Sequence, residues 1–144
     1  MKLLNNRIRA FQPVAGDWRP LDRLLAELSP NELNEDTIGV LISLFERYPT
    51  DDGAGVLWGI VHHLEAIGGY EHQLIRSLAT APSEMGVIMV NRMLNAGITK
   101  IEDVDLLATL HTVSENTKAP EVVRERANSF IEYQKKKAEP GRRL

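Results

Sequence analysis

Seven prolines and a scatter of glycines cut this chain into stretches of a few helical turns, and within each stretch apolar residues recur every three or four positions. That pattern restricts the fold to short amphipathic helices joined by tight connections. Trp18, Leu21, Leu25 and Leu28 fall on one face and predict a helix over 19–28, with Pro20 tolerated in its first turn. Ser29 and Glu32 have capping-box spacing, and Asn34-Glu35-Asp36 offers a second start. The main helix is expected over 35–48, with Ile38, Leu41, Ile42, Phe45 and Tyr48 inward and Pro49 ending it. Asp51-Asp52-Gly53 opens a third helix, 53–67, which Gly68-Gly69 terminates. Leu74, Ile75 and Leu78 mark a fourth over 70–81, and Ser83 caps a fifth over 83–96. Thr99 and Glu102 form a capping box for a sixth, 101–115, and Pro120 stands at the start of the last, 120–136. Residues 1–17 read as a short helix near 2–10 or an extended arm, and the basic tail 138–144 as frayed.

These segments pair. Helix 35–48 with 53–67, 70–81 with 83–96, and 101–115 with 120–136 make three helix–turn–helix units at intervals of about 33–36 residues. The expected fold is a single all-α domain over 1–144, its antiparallel hairpins stacked as a short α-solenoid of HEAT or armadillo type. A compact orthogonal helical bundle is the competing arrangement.

Charge and composition narrow the function. With 43% hydrophobic and 26% charged residues the chain can bury a core, which disfavours disorder. The absence of cysteine removes thiolate catalysis and cysteine-ligated metal centres. No apolar run reaches the roughly 20 residues that span a bilayer, and the expected compartment is the cytoplasm. The net charge of −3 hides an asymmetry. Residues 1–16 carry Lys2, Arg7 and Arg9, and residues 134–144 carry Lys135, Lys136, Lys137, Arg142 and Arg143 against Glu139. The body between them keeps 9 basic and 19 acidic residues, a net charge of −10. Such a body repels nucleic-acid phosphates and attracts basic surfaces.

Polar and aromatic groups concentrate on the third helix. Trp58, His62 and Glu65 are spaced i, i+4, i+7 and share one face beside the core residues Leu57, Val61 and Leu64. His62 and Glu65, with His72 from the next helix, could supply zinc ligands, yet the paired Glu-x-x-His or His-Glu-x-x-His motif of helical metal sites is missing. No metal or cofactor is expected. Arg92 lies in an apolar fifth helix and needs a carboxylate, and Glu65 is the expected partner in a buried structural ion pair. Asn91 and Asn95 stand one turn apart beside it. The chain has no Gly-x-Ser-x-Gly elbow and no phosphate-binding glycine loop, so catalytic residues are not expected.

The stretch Leu57-Trp58-Gly59-Ile60-Val61-His62-His63-Leu64-Glu65, then Gly69-Tyr70-Glu71, then Asn91-Arg92-Met93-Leu94-Asn95, resembles the small all-helical immunity proteins of bacterial polymorphic-toxin and contact-dependent growth-inhibition systems. The resemblance covers residues 50–97. It implies a cytosolic, non-enzymatic protein that binds and neutralises one toxin domain, frequently a nuclease. The acidic body agrees, because a nuclease must be basic to hold its substrate. The expected partner-binding residues are Asp51, Asp52, Trp58, His62, Asn91, Asn95, Glu102, Asp103 and Asp105, on a monomer or weak dimer with no affinity for nucleic acid or membrane. The alternatives are a metal-dependent helical enzyme centred on His62, Glu65 and His72, and a generic HEAT-like interaction scaffold.

Overall fold

A computed structural model describes residues 2–29 and 34–138. Eight α-helices account for most of them: α1 (Lys2–Ala10), α2 (Arg19–Leu25), α3 (Glu35–Arg47), α4 (Val56–Ile67), α5 (Glu71–Thr80), α6 (Glu84–Asn95), α7 (Leu106–Glu115) and α8 (Glu121–Ala138). Strands β1 (Lys100–Ile101) and β2 (Val104–Asp105) form one small antiparallel hairpin between α6 and α7. Among the described residues the structure is all-α apart from that hairpin.

Side-chain caps set the starts of α3, α6 and α7. Asn34 Oδ1 accepts from Thr37 N at 2.9 Å and Ser83 Oγ accepts from Gly86 N at 3.0 Å, so each satisfies an otherwise unpaired amide of the first turn. The alternative start at Ser29 and Glu32 falls partly outside the described residues, as does the tail beyond Ala138. The stretch Gly53–Gly55 is a 3₁₀ turn rather than the beginning of α4, because Gly53, Ala54 and Gly55 have φ of 61°, 54° and 90°. Three successive left-handed residues cannot enter an α-helix. Gly53 is also required by space, since a Cβ there would stand 3.0 Å from both Leu57 Cγ and Trp18 Cε3.

The expected helix start at Thr99–Glu102 is corrected. Residues 100–105 form the β-hairpin, with Glu102 in the left-handed region at φ 50° in its tight turn. Asp105 caps α7 instead, its Oδ1 accepting from Leu107 N at 2.9 Å and Ala108 N at 3.3 Å. A shorter side chain immediately before the helix reaches two first-turn amides at once, and the β-branched Ile101 and Val104 favour the extended segment ahead of it.

Helices pack in two rows. α1, α3, α5 and α7 touch in sequence along one row, and α2, α4, α6 and α8 along the other, while α3 with α4, α5 with α6 and α7 with α8 join the rows. The N-terminal segment is a fourth hairpin rather than an arm, since α1 also packs on α2. Ile8 on α1 is fully buried, and Arg47 on α3 donates to the carbonyls of Ile8, Arg9 and Phe11 at 3.2, 3.0 and 2.9 Å, closing the C-terminal end of α1. The core is continuous from Ile8 through Phe45, Leu57, Leu74 and Met89 to Ile131. No helix among the described residues is long and apolar enough to cross a membrane.

Candidate functional site

α4 is the central helix of the second row, between α2 and α6. Its core face is Leu57, Ile60, Val61 and Leu64, each at most 1% exposed, which turns Trp58, His62 and Glu65 outward toward α6. Trp58 is half-buried and His62 exposed, with ring centroids 6.3 Å apart. From α6, Arg92 donates Nε to Glu65 Oε2 and Nη2 to Glu65 Oε1, both at 2.8 Å, and its guanidinium carbon lies 6.0 Å from the Trp58 ring centroid. One cation therefore ties the aromatic and the carboxylate of α4 to α6. The carboxylate beside it raises the Arg92 pKa above its ordinary value.

The pair is not buried. The Arg92 side chain is 43% exposed and that of Glu65 24%, so the interaction stands on the molecular surface. An apolar helix suggested burial, but a side chain as long as arginine carries its charge past the core face to solvent. Beneath it lies Tyr70, 5% exposed, whose pKa is pushed up to about 12 by burial, with the charges of Glu71 and Glu65 adding and Arg92 opposing.

α6 also faces α8. Gln134 Nε2 donates to Asn91 Oδ1 at 2.7 Å and to Asn95 Oδ1 at 2.9 Å, and Lys137 Nζ reaches Asn95 Oδ1 at 3.3 Å. Nearer the helix starts, Arg126 on α8 donates twice to Glu84 Oε2 on α6, at 2.9 and 3.1 Å. The sequence reading passes over Gln134 and Lys137. Their signal is that Gln134 follows Val123, Ala127 and Phe130 at i+11, a polar group in an otherwise apolar stripe, which needs a partner.

The nominated acids do not share one surface. Asp51 and Asp52 precede α4, each accepting one backbone hydrogen bond, from Gly53 N at 2.9 Å and Ala54 N at 3.0 Å. Glu102, Asp103 and Asp105 lie in the hairpin before α7, which meets the start of α5 through His72 Nε2 to Glu102 Oε1 at 3.2 Å. α5 in turn follows the C-terminal end of α4, so the two acidic groups stand at opposite ends of that helix. His72 is thereby held at the hairpin. Among the described residues, no three His, Asp or Glu side chains are grouped to hold a metal ion.

Comparison with protein-family models, curated proteins and solved structures finds no match to this chain.

Proposed function

We propose that this chain is a non-enzymatic immunity protein that binds one cognate toxin domain in the cytoplasm and neutralises it by covering the toxin's active site. The side-chain network across α4, α6 and α8 carries this reading. Trp58, Glu65 and Arg92 hold one another across the α4–α6 seam, and Asn91, Asn95, Gln134 and Lys137 across the α6–α8 seam, which fixes aromatic, amide and charged groups in place before any ligand arrives. Preorganised groups spread over several helices suit docking of a macromolecule, since less ordering is lost on association. The two rows of helices support a short solenoid of HEAT type, with the second row as its binding face. A body charge of −10 between residues 17 and 133 favours a basic partner, as a nuclease toxin is.

Coexpression with a toxin domain from a gene found adjacent to the one for this chain tests the reading. Growth is expected to be restored and the two proteins to elute as one stoichiometric complex. Growth arrest that persists although both proteins are folded would overturn it.

A further inference from the structure

Gly39 lies inside α3, Gly59 inside α4 and Gly86 inside α6. Glycine within a helix is less stable than alanine because its unfolded backbone has more freedom to lose, so each position calls for a reason. Two have one in the fold. A Cβ on Gly39 would stand 2.9 Å from Gln73 Oε1, whose amide nitrogen donates to the Glu35 carbonyl at 3.0 Å. A Cβ on Gly86 would stand 2.9 Å from Leu78 Cδ2 and equally close to Ser83 Oγ, the cap of α6. Gly59 has none: its backbone is right-handed, and apart from its two chain neighbours and its own helix backbone nothing described comes within 4 Å of the place a Cβ would occupy.

Gly59 sits within the network already described. Trp58 immediately precedes it, half-buried and held under the Arg92 guanidinium, and the exposed His62 follows within a turn. Both oxygens of Glu65, the one carboxylate within α4, are taken by Arg92, and the carboxylates open to an incoming cation ahead of the helix are Asp51 and Asp52, before the 3₁₀ turn, both exposed and each using only Oδ1. A glycine that the fold does not require, next to a fixed aromatic on a helix that two exposed carboxylates precede, is what close approach of another chain to a helix backbone needs.

We infer that a basic segment of the partner protein lies directly against α4 at Gly59, with Trp58 and His62 along one flank of it and Asp51 and Asp52, ahead of the helix, receiving its cationic groups. This rests on the inhibitor reading, so affinity of the wild-type chain for the purified toxin domain is measured first. Gly59→Arg directs a long side chain into open space; it is expected to fold with an unchanged or higher thermal midpoint and to lose about thirtyfold or more in affinity. Gly59→Ala is expected to raise the midpoint while weakening binding. Thr112→Arg, on an exposed position of α7 in the other row, is expected to bind as wild type does. If the wild type binds and Gly59→Arg binds within about twofold of it, docking at Gly59 is wrong while the inhibitor reading stands. A lowered midpoint for Gly59→Ala would give the glycine a structural reason and overturn the inference as well. Absence of wild-type binding removes both.

Discussion

Arg92 and Glu65 meet side-on across the α4–α6 seam, two parallel hydrogen bonds of 2.8 Å joining guanidinium to carboxylate while the same guanidinium covers Trp58. The fork-to-fork geometry fixes both side chains, and the aromatic ring is fixed with them. A residue that a purely apolar seam would leave free to rotate is thus presented in one orientation.

The partial exposure of this pair decides how much it contributes to stability. With 43% of the Arg92 side chain and 24% of that of Glu65 open to solvent, water screens the charges and rehydrates whichever partner remains after mutation. A double-mutant cycle with Glu65→Gln and Arg92→Met is expected to give a coupling of about 1 kcal/mol, against about 3–5 kcal/mol when one partner of a buried pair is removed. Denaturant titration of the four proteins measures it. Arg92→Met is also expected to shift tryptophan emission, because Trp58 loses its cation; an unchanged spectrum would show that the contact does not hold the ring.

Asp105 and Glu102 illustrate how capping and docking acids separate. Asp105 accepts from two first-turn amides of α7, so Asp105→Ala is expected to destabilise the fold by about 1 kcal/mol, within the usual range of about 0.5–2 for a lost N-cap. Glu102 has one side-chain ion pair among the described residues, with His72, the two side chains being 75% and 56% exposed, and Glu102→Gln is expected to change stability by less than about 0.5 kcal/mol. Thermal denaturation of both variants checks the order. Equal losses would mean that Glu102 caps the helix after all.

The helices were legible because burial imposes a three-to-four residue period, and Asn34 and Ser83 announce their caps with oxygens that can reach the first-turn amides. The hairpin at 100–105 was not, since Thr99-Lys100-Ile101-Glu102 carries the spacing of a capping box and only the competing geometry of Asp105 decides the matter. α1 stayed ambiguous because its stability is tertiary: Ile8 in the core and Arg47 on three carbonyls hold a helix whose own sequence is mostly polar. On the site, helical spacing placed Trp58, His62 and Glu65 together, and the lone cation in an apolar helix pointed to Arg92. Its exposure was illegible, because a one-dimensional pattern records which residues are apolar but not how far a long side chain extends. Gln134, a polar group in an apolar stripe, announces that it needs a partner, but Asn91 lies 43 residues away and nothing local names it as that partner.

Tyr70 gives a pH signature of the same region. Its phenol pKa is raised from 10.0 to about 12, so the folded protein holds the proton where the unfolded chain has released it. The sign follows from linkage: below about pH 10 both states are protonated and stability is at its full value, and between about pH 10 and 12 it falls as pH rises. Two units correspond to about 2–3 kcal/mol at most. The alkaline loss of stability is expected to be shallower in Tyr70→Phe, and the difference in phenolate absorbance between wild type and variant to have its midpoint near 12. A midpoint near 10 would mean that the ring is hydrated.

Association with the toxin supplies the last prediction. Long-range attraction depends on summed charge rather than on contact, so the body charge of −10 acts even though the nominated acids are split between the two ends of α4. Electrostatic steering requires the association rate to fall steeply with added salt, since the Debye length contracts from about 10 Å at 0.1 M to about 3 Å at 1 M, while the dissociation rate changes less. Stopped-flow mixing across an ionic-strength series measures both rates. Neutralising Asp51 and Asp52 together is expected to lower the association rate and also speed dissociation, because these acids stand beside the proposed contact on α4. Neutralising Glu102 and Asp103, at the far end of that helix, is expected to lower the association rate alone. If the rates are insensitive to salt, the acidic body does not steer the partner, and recognition has to rest on Trp58, His62 and the exposed backbone of α4.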